Sequence, residues 1–228
     1  MADNLYDFGM VGIGGGGYAE KVVLEQRAVA RKPANVDHSH AAAVVLAGQT
    51  AWQGLFRHGG LQAGQSVLIH GGSGGVGHFA IQFAKLKGAR VLTTVATPNV
   101  AFAKSLGADV VIDYKTQRFE DHASDLDMVF DLIDGETRER SWKLLKRGGV
   151  LVSTLTDPSQ EKAQELGVRA LRYTVEADGE ELAGIADLML AGKVRAHVER
   201  TYPLDEATSA LTFVERGHAV GKVVLVVS

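Results

Sequence analysis

Two kinds of apolar pattern alternate along most of the chain. In the first, short β-branched runs such as Val67, Leu68 and Ile69 have no polar residue between them, as expected of a strand buried on both faces. In the second, apolar residues recur every three or four positions. Val76, Phe79, Ala80, Phe83 and Leu86 form one such stripe, with Gln82, Lys85 and Lys87 off it, which predicts a helix directly after the first strand. Further strands are predicted at 90–95, 110–112, 127–133, 150–153 and 168–175. Helices are predicted at 98–106, where Pro98 suits a first turn, at 136–145, and at 180–191 with Leu182, Ile185, Leu188 and Met189. Repeated strand–helix alternation predicts an α/β fold with a doubly wound parallel sheet of the Rossmann type.

The flanks break this rhythm. Glycines at 12 and 14–17 predict a loop, and residues 1–17 are expected to be poorly ordered. Residues 18–24 alternate well enough for a short strand, with a second at 28–30. A helix is predicted within 36–60, capped by Asp37 or Ser39 and burying Ala41, Val44, Val45, Gly48, Trp52 and Phe56. After Lys193 come a strand at 194–198, a helix at 205–216 and a terminal strand at 221–227. The expected organisation is a lead and a piece of a second domain in 1–36, the dinucleotide-binding domain in 37–193, and a returning segment of the second domain in 194–228.

Composition narrows the function. A length of 228 residues suits one large domain with a smaller piece, and 46% hydrophobic content with 27 glycines suits a globular α/β protein. The net charge of −3 offers no basic excess for nucleic acid. There is no cysteine, which removes disulfides, thiolate zinc sites and cysteine nucleophiles together. No apolar run is long enough to span a bilayer and no charged and apolar leader opens the chain, so a cytoplasmic location and no membrane partner are expected.

Between the first strand and its helix, Gly72-Ser73-Gly74-Gly75-Val76-Gly77 reads G-x-G-x-x-G in the setting that gives the pattern meaning. The first glycine permits a tight turn, the second a close approach of backbone to pyrophosphate, and the third close packing of helix on strand. The helix N-terminus then presents N–H groups and a positive dipole end to phosphate. After the second strand, where an acidic side chain would accept from an NAD ribose, the chain reads Thr93-Thr94-Val95-Ala96-Thr97-Pro98-Asn99. With no carboxylate in that stretch to repel a 2′-phosphate, and with Thr97 and Asn99 able to donate to it, the expected cofactor is NADP(H). His70 reads as a strand-end packing residue and His78 as an exposed first-turn residue. His38 and His40, two apart on a helix, point in different directions. No H-E-x-x-H spacing appears, and no tyrosine has a lysine four residues on. No metal is expected, and the catalytic residues are not assigned.

At this point the residues resemble the medium-chain dehydrogenase/reductases, in their zinc-independent quinone oxidoreductase-like branch. The matching pieces are GGYAEKVV at 16–23, AAAVVLAGQTAWQGL at 41–55, AGQSVLIHGGSGGVGHFAIQFAKLKGARV at 63–91, LGADVVIDY at 106–114, VFDLIDGE at 129–136, LLKRGGVLVS at 144–153 and GKVVLVV at 221–227. They keep the family's order and cover nearly the whole chain from Gly9 onward. The resemblance implies NADPH-dependent reduction of a quinone, enone or alkenal. It adds Tyr114, and by proximity Lys115, as 2′-phosphate contacts. It places Thr50 near the nicotinamide and pyrophosphate, Leu132 and Ile133 below the cofactor, Leu151, Val152 and Ser153 beside the nicotinamide ring, and Lys222 returning toward it. Relatives pair through the edge strand, here 168–175, so a homodimer is expected. They also carry an N-terminal GroES-like β domain, most of which has no counterpart here, so the alternative expectation is a non-catalytic NADP(H)-binding module.

Overall fold

A computed structural model describes residues 7–9, 17–217 and 219–227; the expectation for the glycine-rich lead falls almost wholly outside them. The chain forms two compact units, 1–49 with 175–228, and 50–174.

In chain order the elements are β1 (Asp7–Gly9), β2 (Val29–Arg31), α1 (His38–Trp52), β3 (Ser66–His70), α2 (Gly77–Leu86), β4 (Arg90–Val95), α3 (Val100–Ser105), β5 (Val110–Asp113), β6 (Leu126–Asp131), α4 (Gly135–Ser141), β7 (Leu145–Ser153), α5 (Gln160–Leu166), β8 (Arg169–Arg172), α6 (Gly179–Leu190), β9 (Val198–Pro203), α7 (Ala207–Glu215) and β10 (Lys222–Val226). The 50–174 unit holds one six-stranded parallel sheet ordered β5-β4-β3-β6-β7-β8. The chain therefore winds outward from β3 in one direction and from β6 in the other. This order is the doubly wound arrangement expected from the alternation. The sheet is buried because its strands carry no polar face: Leu68, Leu92, Val129 and Leu151 are inaccessible and pack with Ile112, Trp142 and Leu144.

Several elements differ from the sequence reading. The predicted helix at 36–60 ends as α1 at Trp52 and continues as a π-helical segment, Gln53–His58, whose carbonyls at Gly54 and Leu55 accept from Gly59 N and Leu61 N. A 3₁₀ turn, Thr97–Asn99, precedes α3, and another, Trp142–Leu144, follows α4. α5 has no counterpart among the predicted elements. Its signals are local: the Ser159 side chain caps Lys162 N at 3.2 Å, and Gly167 closes the helix in the left-handed conformation at φ 65°. His78, expected to be exposed, is fully buried, with its Nδ1 2.9 Å from the Gly74 carbonyl oxygen. Gly77 lets α2 lie so close that most of the helix is buried.

The other unit builds on α1 and α6, with Ala30, Val45 and Leu182 in its core. Asp178 caps α6 through Glu181 N, and its own N–H donates to Gln49 Oε1. The predicted strand at 18–24 is not formed; these residues have bends at 18–20 and no regular structure beyond, and are mostly exposed, since alternation alone supplies no hydrogen-bonding partner. Of 28–30, the paired portion is β2, antiparallel to β1. The strand predicted at 194–198 lies further on, as β9, because it pairs in parallel with β10 over Val198–Pro203. Pro203 ends that strand at its last position, where a missing N–H costs least.

Candidate functional site

The sheet reverses direction between β3 and β6, and in open α/β sheets ligands bind at the carboxyl ends beside such a reversal. Here a cleft of about 320 Å³ opens at that end, with Gly71 after β3, Thr94 of β4, Tyr114 after β5 and Ile133 after β6 among its walls, together with Phe119 and Arg140. Apolar and aromatic walls with a few polar groups make a nucleoside-sized site.

The glycine turn forms one rim. The residue that needs the left-handed conformation is Gly71, at φ 73°, rather than Gly72 as the motif implies. Gly72 is needed for space: a Cβ there would overlap Thr93 Oγ1, which is held by the Ile69 carbonyl at 2.8 Å. A Cβ on Gly77 would overlap the Gly71 carbonyl oxygen, whereas one on Gly74 would sit 3.3 Å from that atom, a tight contact that a shift of a few tenths of an ångström relieves. Gly72 and Gly77 therefore serve packing, and Gly74 is the glycine of the three with the fewest neighbours around its missing side chain.

At the carboxyl end of the sheet, five neighbouring strands carry a buried polar residue at their last position or one before it: His70, Thr94, Asp113, Asp131 and Ser153. The Asp131 carboxylate accepts from Ile133 N at 3.1 Å, Asp134 N at 2.9 Å and Ser153 Oγ at 3.1 Å, so one fully buried side chain fixes the loops after β6 and β7. The next residue but two, Asp134, sits at φ 69°, held by Thr156 Oγ1 at 2.6 Å and by the Arg138 guanidinium at 2.8 Å. Asp113 is held below the usual carboxylate range by the Thr97 side chain, despite some opposing desolvation, and by Lys115 N and the Thr116 side chain. Glu120 receives a bidentate pair from Arg140 at 2.8 and 2.7 Å, which pushes its pKa down to about 2, and the guanidinium lies over the Phe119 ring. Burial, with the Arg140 charge, pushes the His70 imidazole down to about 3, so His70 is neutral.

Most residues singled out in the sequence lie in the 50–174 unit. Ser73 Oγ accepts from Asn99 Nδ2 at 3.1 Å, bringing the glycine turn and the segment after β4 together. Thr97 is exposed and tied to Asp113, a carboxylate that reaches this region from β5 and was invisible in the stretch after β4. Tyr114 is half exposed with the Lys115 ammonium 5.1 Å from its ring centroid. Ile133 is half exposed on the cleft wall, 3.0 Å from where a Gly71 Cβ would stand. Gly75 and Val76 complete the turn, Leu132 is partly buried, and Thr50 is buried with its carbonyl accepting from the Tyr173 hydroxyl. Leu151 and Val152 are inaccessible strand residues, and Ser153 is spent on Asp131. Lys222 belongs to the other unit, at the start of β10, where burial lowers its pKa. The sequence reading missed Asp131, whose signal was a lone carboxylate closing the apolar run Met128-Val129-Phe130.

Comparison with known proteins agrees with this geometry. A family model described as zinc-binding dehydrogenase matches residues 106–225, more than half of the chain. The 2-methylene-furan-3-one reductase of Solanum lycopersicum is 36% identical over 92% of this chain and 52% of its own length. The chloroplastic NADPH-dependent alkenal/one oxidoreductase of Arabidopsis thaliana is 35% identical over 92% of this chain and 53% of its own. The solved quinone oxidoreductase of Coxiella burnetii superposes with a TM-score of 0.81 at 35% identity, covering 88% of this chain and 64% of that one. The chain belongs to the medium-chain dehydrogenase/reductase family, in its quinone oxidoreductase-like branch. It spans about half the length of these two curated relatives. Although the family description names zinc, no cluster of three or more histidine, cysteine or acidic side chains able to hold a metal occurs among the described residues, and no helix there is long and apolar enough to cross a membrane.

Proposed function

We propose that this chain binds NADP(H) and serves the NADPH-dependent reduction of a quinone, enone or alkenal. The observation that carries this is the G-x-G-x-x-G turn at the reversal point of a doubly wound sheet, opening onto a nucleoside-sized cleft. The cleft between Gly71, Tyr114 and Ile133 takes the adenosine half, the first turn of α2 takes the pyrophosphate, and Tyr114 with Lys115 takes the 2′-phosphate. Thr97 contributes less to that phosphate than its place in the sequence suggests, since it already serves Asp113. Hydride chemistry comes from the cofactor, and the protein's part is to orient it and exclude water. The relatives named above, an NADPH-dependent alkenal/one oxidoreductase and a quinone oxidoreductase among them, support the reading.

The test is NADPH oxidation by the purified chain with a panel of quinones, enones and alkenals, alongside a direct NADPH titration. Turnover supports the reductase. Tight binding without turnover supports the second reading, a cofactor-binding module. Absence of binding removes both. We also propose a cytoplasmic homodimer joined along β8, an edge strand of the sheet, supported by the capacity of an edge strand to pair with a further strand. A monomeric mass in light scattering at micromolar concentration counts against the dimer.

A further inference from the structure

A chain of hydrogen bonds runs from the cleft wall at Gly71 and Thr94 to α4 through His70, a residue given no role in the cofactor reading. Gly71 N donates to Thr94 Oγ1 at 3.3 Å, Thr94 Oγ1 lies 3.0 Å from His70 Nδ1, His70 Nε2 lies 2.8 Å from Ser141 Oγ, and Ser141 Oγ donates to the Thr137 carbonyl at 2.7 Å. Both ends have fixed roles, so the direction of every proton follows. The serine spends its single hydrogen on the carbonyl and can only accept from the imidazole, which places the proton on Nε2. The bare Nδ1 then accepts from the Thr94 hydroxyl, whose oxygen still accepts from Gly71 N–H. An imidazolium would set a second N–H against Thr94 and leave the threonine hydrogen without a partner. The charged groups facing His70 are Arg140 of α4 and Glu120 of the 3₁₀ turn Phe119–Asp121. Thr94 and Gly71 are neutral.

Gly71 is also where the glycine turn takes its direction: its carbonyl accepts from Gly74 N at 3.0 Å and packs beneath Gly77. We propose that His70 is a positioning residue of the nucleotide site: as the neutral Nε2–H tautomer it ties α4, through Thr94, to the Gly71 peptide and so sets the glycine turn against the cleft. The proposal rests on the NADP(H) reading above.

The test uses the full 228-residue chain. Thr94→Val removes the hydroxyl at constant shape and Thr94→Ser restores it. Losing the two bonds made by that hydroxyl is expected to raise the NADPH dissociation constant about tenfold in Thr94→Val, with Thr94→Ser within about twofold of the parent. Nitrogen-15 NMR of the unmodified protein, with the His70 signals assigned by their loss in His70→Gln, is expected to show the proton on Nε2 and no titration between about pH 5 and 8. Equal NADPH affinity for Thr94→Val and Thr94→Ser, a proton on Nδ1, or an imidazole titrating in that range each overturns the proposal while leaving the cofactor reading intact. If Thr94→Val does not fold, the tautomer and titration decide. A parent chain that binds no NADPH overturns the cofactor reading and this proposal together.

Discussion

Replacing Asp131 by alanine removes one acceptor from three donors at once: Ile133 N, Asp134 N and Ser153 Oγ. Hydrogen bonds to a charged group contribute roughly 1.5–3 kcal/mol each, and an orphaned buried donor costs about 1–3 kcal/mol. The carboxylate is inaccessible, so water cannot replace it without the loops moving. Allowing for partial rescue as those loops relax, the expected cost is about 4 kcal/mol. For a chain of this size each kcal/mol shifts Tm by about 2–4 °C, so Asp131→Ala should melt about 8–16 °C below the parent. Asp131→Asn keeps an oxygen for the two backbone donors and turns an N–H₂ toward Ser153, whose hydroxyl can rotate to accept. That variant should lose only about 1 kcal/mol, or about 2–4 °C. Calorimetry of the three proteins reads the stability. An NADPH titration of each reads the loop, because Ile133 on the cleft wall hangs from this carboxylate, and affinity should fall in the same order. Asp131→Ala melting within about 2 °C of the parent, or Asp131→Asn falling as far as the alanine variant, refutes the reasoning.

The glycine turn gives a divided outcome: Gly77→Ala should lower both Tm and NADPH affinity, since its Cβ meets backbone, while Gly74→Ala should keep Tm and lose affinity about tenfold or more. Equal melting temperatures for the two would contradict this assignment. Lys115→Ala should weaken NADPH by about tenfold and leave NADH unchanged, one charge-assisted bond being worth roughly 1.5–3 kcal/mol; parallel losses for both cofactors would remove Lys115 from the 2′-phosphate site. Glu120, with its pKa lowered from 4.5 to about 2, stabilises the fold fully above pH 4.5 and loses that contribution, of the order of 3 kcal/mol, as pH falls toward 2. Glu120→Gln should therefore show a flatter acid limb in thermal melts, and an unchanged limb would place the acid sensitivity elsewhere.

The sheet was legible because parallel strands buried on both faces read as continuous apolar runs, with polar residues gathered toward their carboxyl ends. The run at 90–95 matches β4 at both ends, and the other five predicted strands fall on β3, β5, β6, β7 and β8 with shifts at their margins. The fold failed to read true where its elements depend on partners instead of composition. Residues 18–24 alternate like a strand yet pair with no strand among the described residues, and 194–198 yielded to 198–203 because β10 supplies the ladder there. α5 is short and polar, so its cap residues, Ser159 and Gly167, spoke louder than its periodicity. His78 looked exposed because a single stripe was assumed, but α2 is buried over most of its surface.

What the candidate site adds is a rule about where those apolar runs stop. Val67 to Ile69 stops at His70, Val91 and Leu92 at the Thr93-Thr94 pair, Val110 to Ile112 at Asp113, Met128 to Phe130 at Asp131, and Val150 to Val152 at Ser153. Each of these polar groups is buried, and burial without a partner would cost a few kcal/mol, so each has to bind something local. What lies within reach at a strand's carboxyl end is the backbone of the loop that follows. Asp131 holds Ile133 and Asp134, Asp113 holds Lys115, and Thr94 holds Gly71 from the adjacent strand. The loops that form the cleft are thus fixed by buried side chains, while Tyr114 and Ile133 stay half exposed on its walls. Preorganisation of this kind lets a small set of loops present phosphate donors without paying their ordering entropy at each binding event. The same row was present in the sequence, and its meaning appeared only once the register set the strand ends side by side.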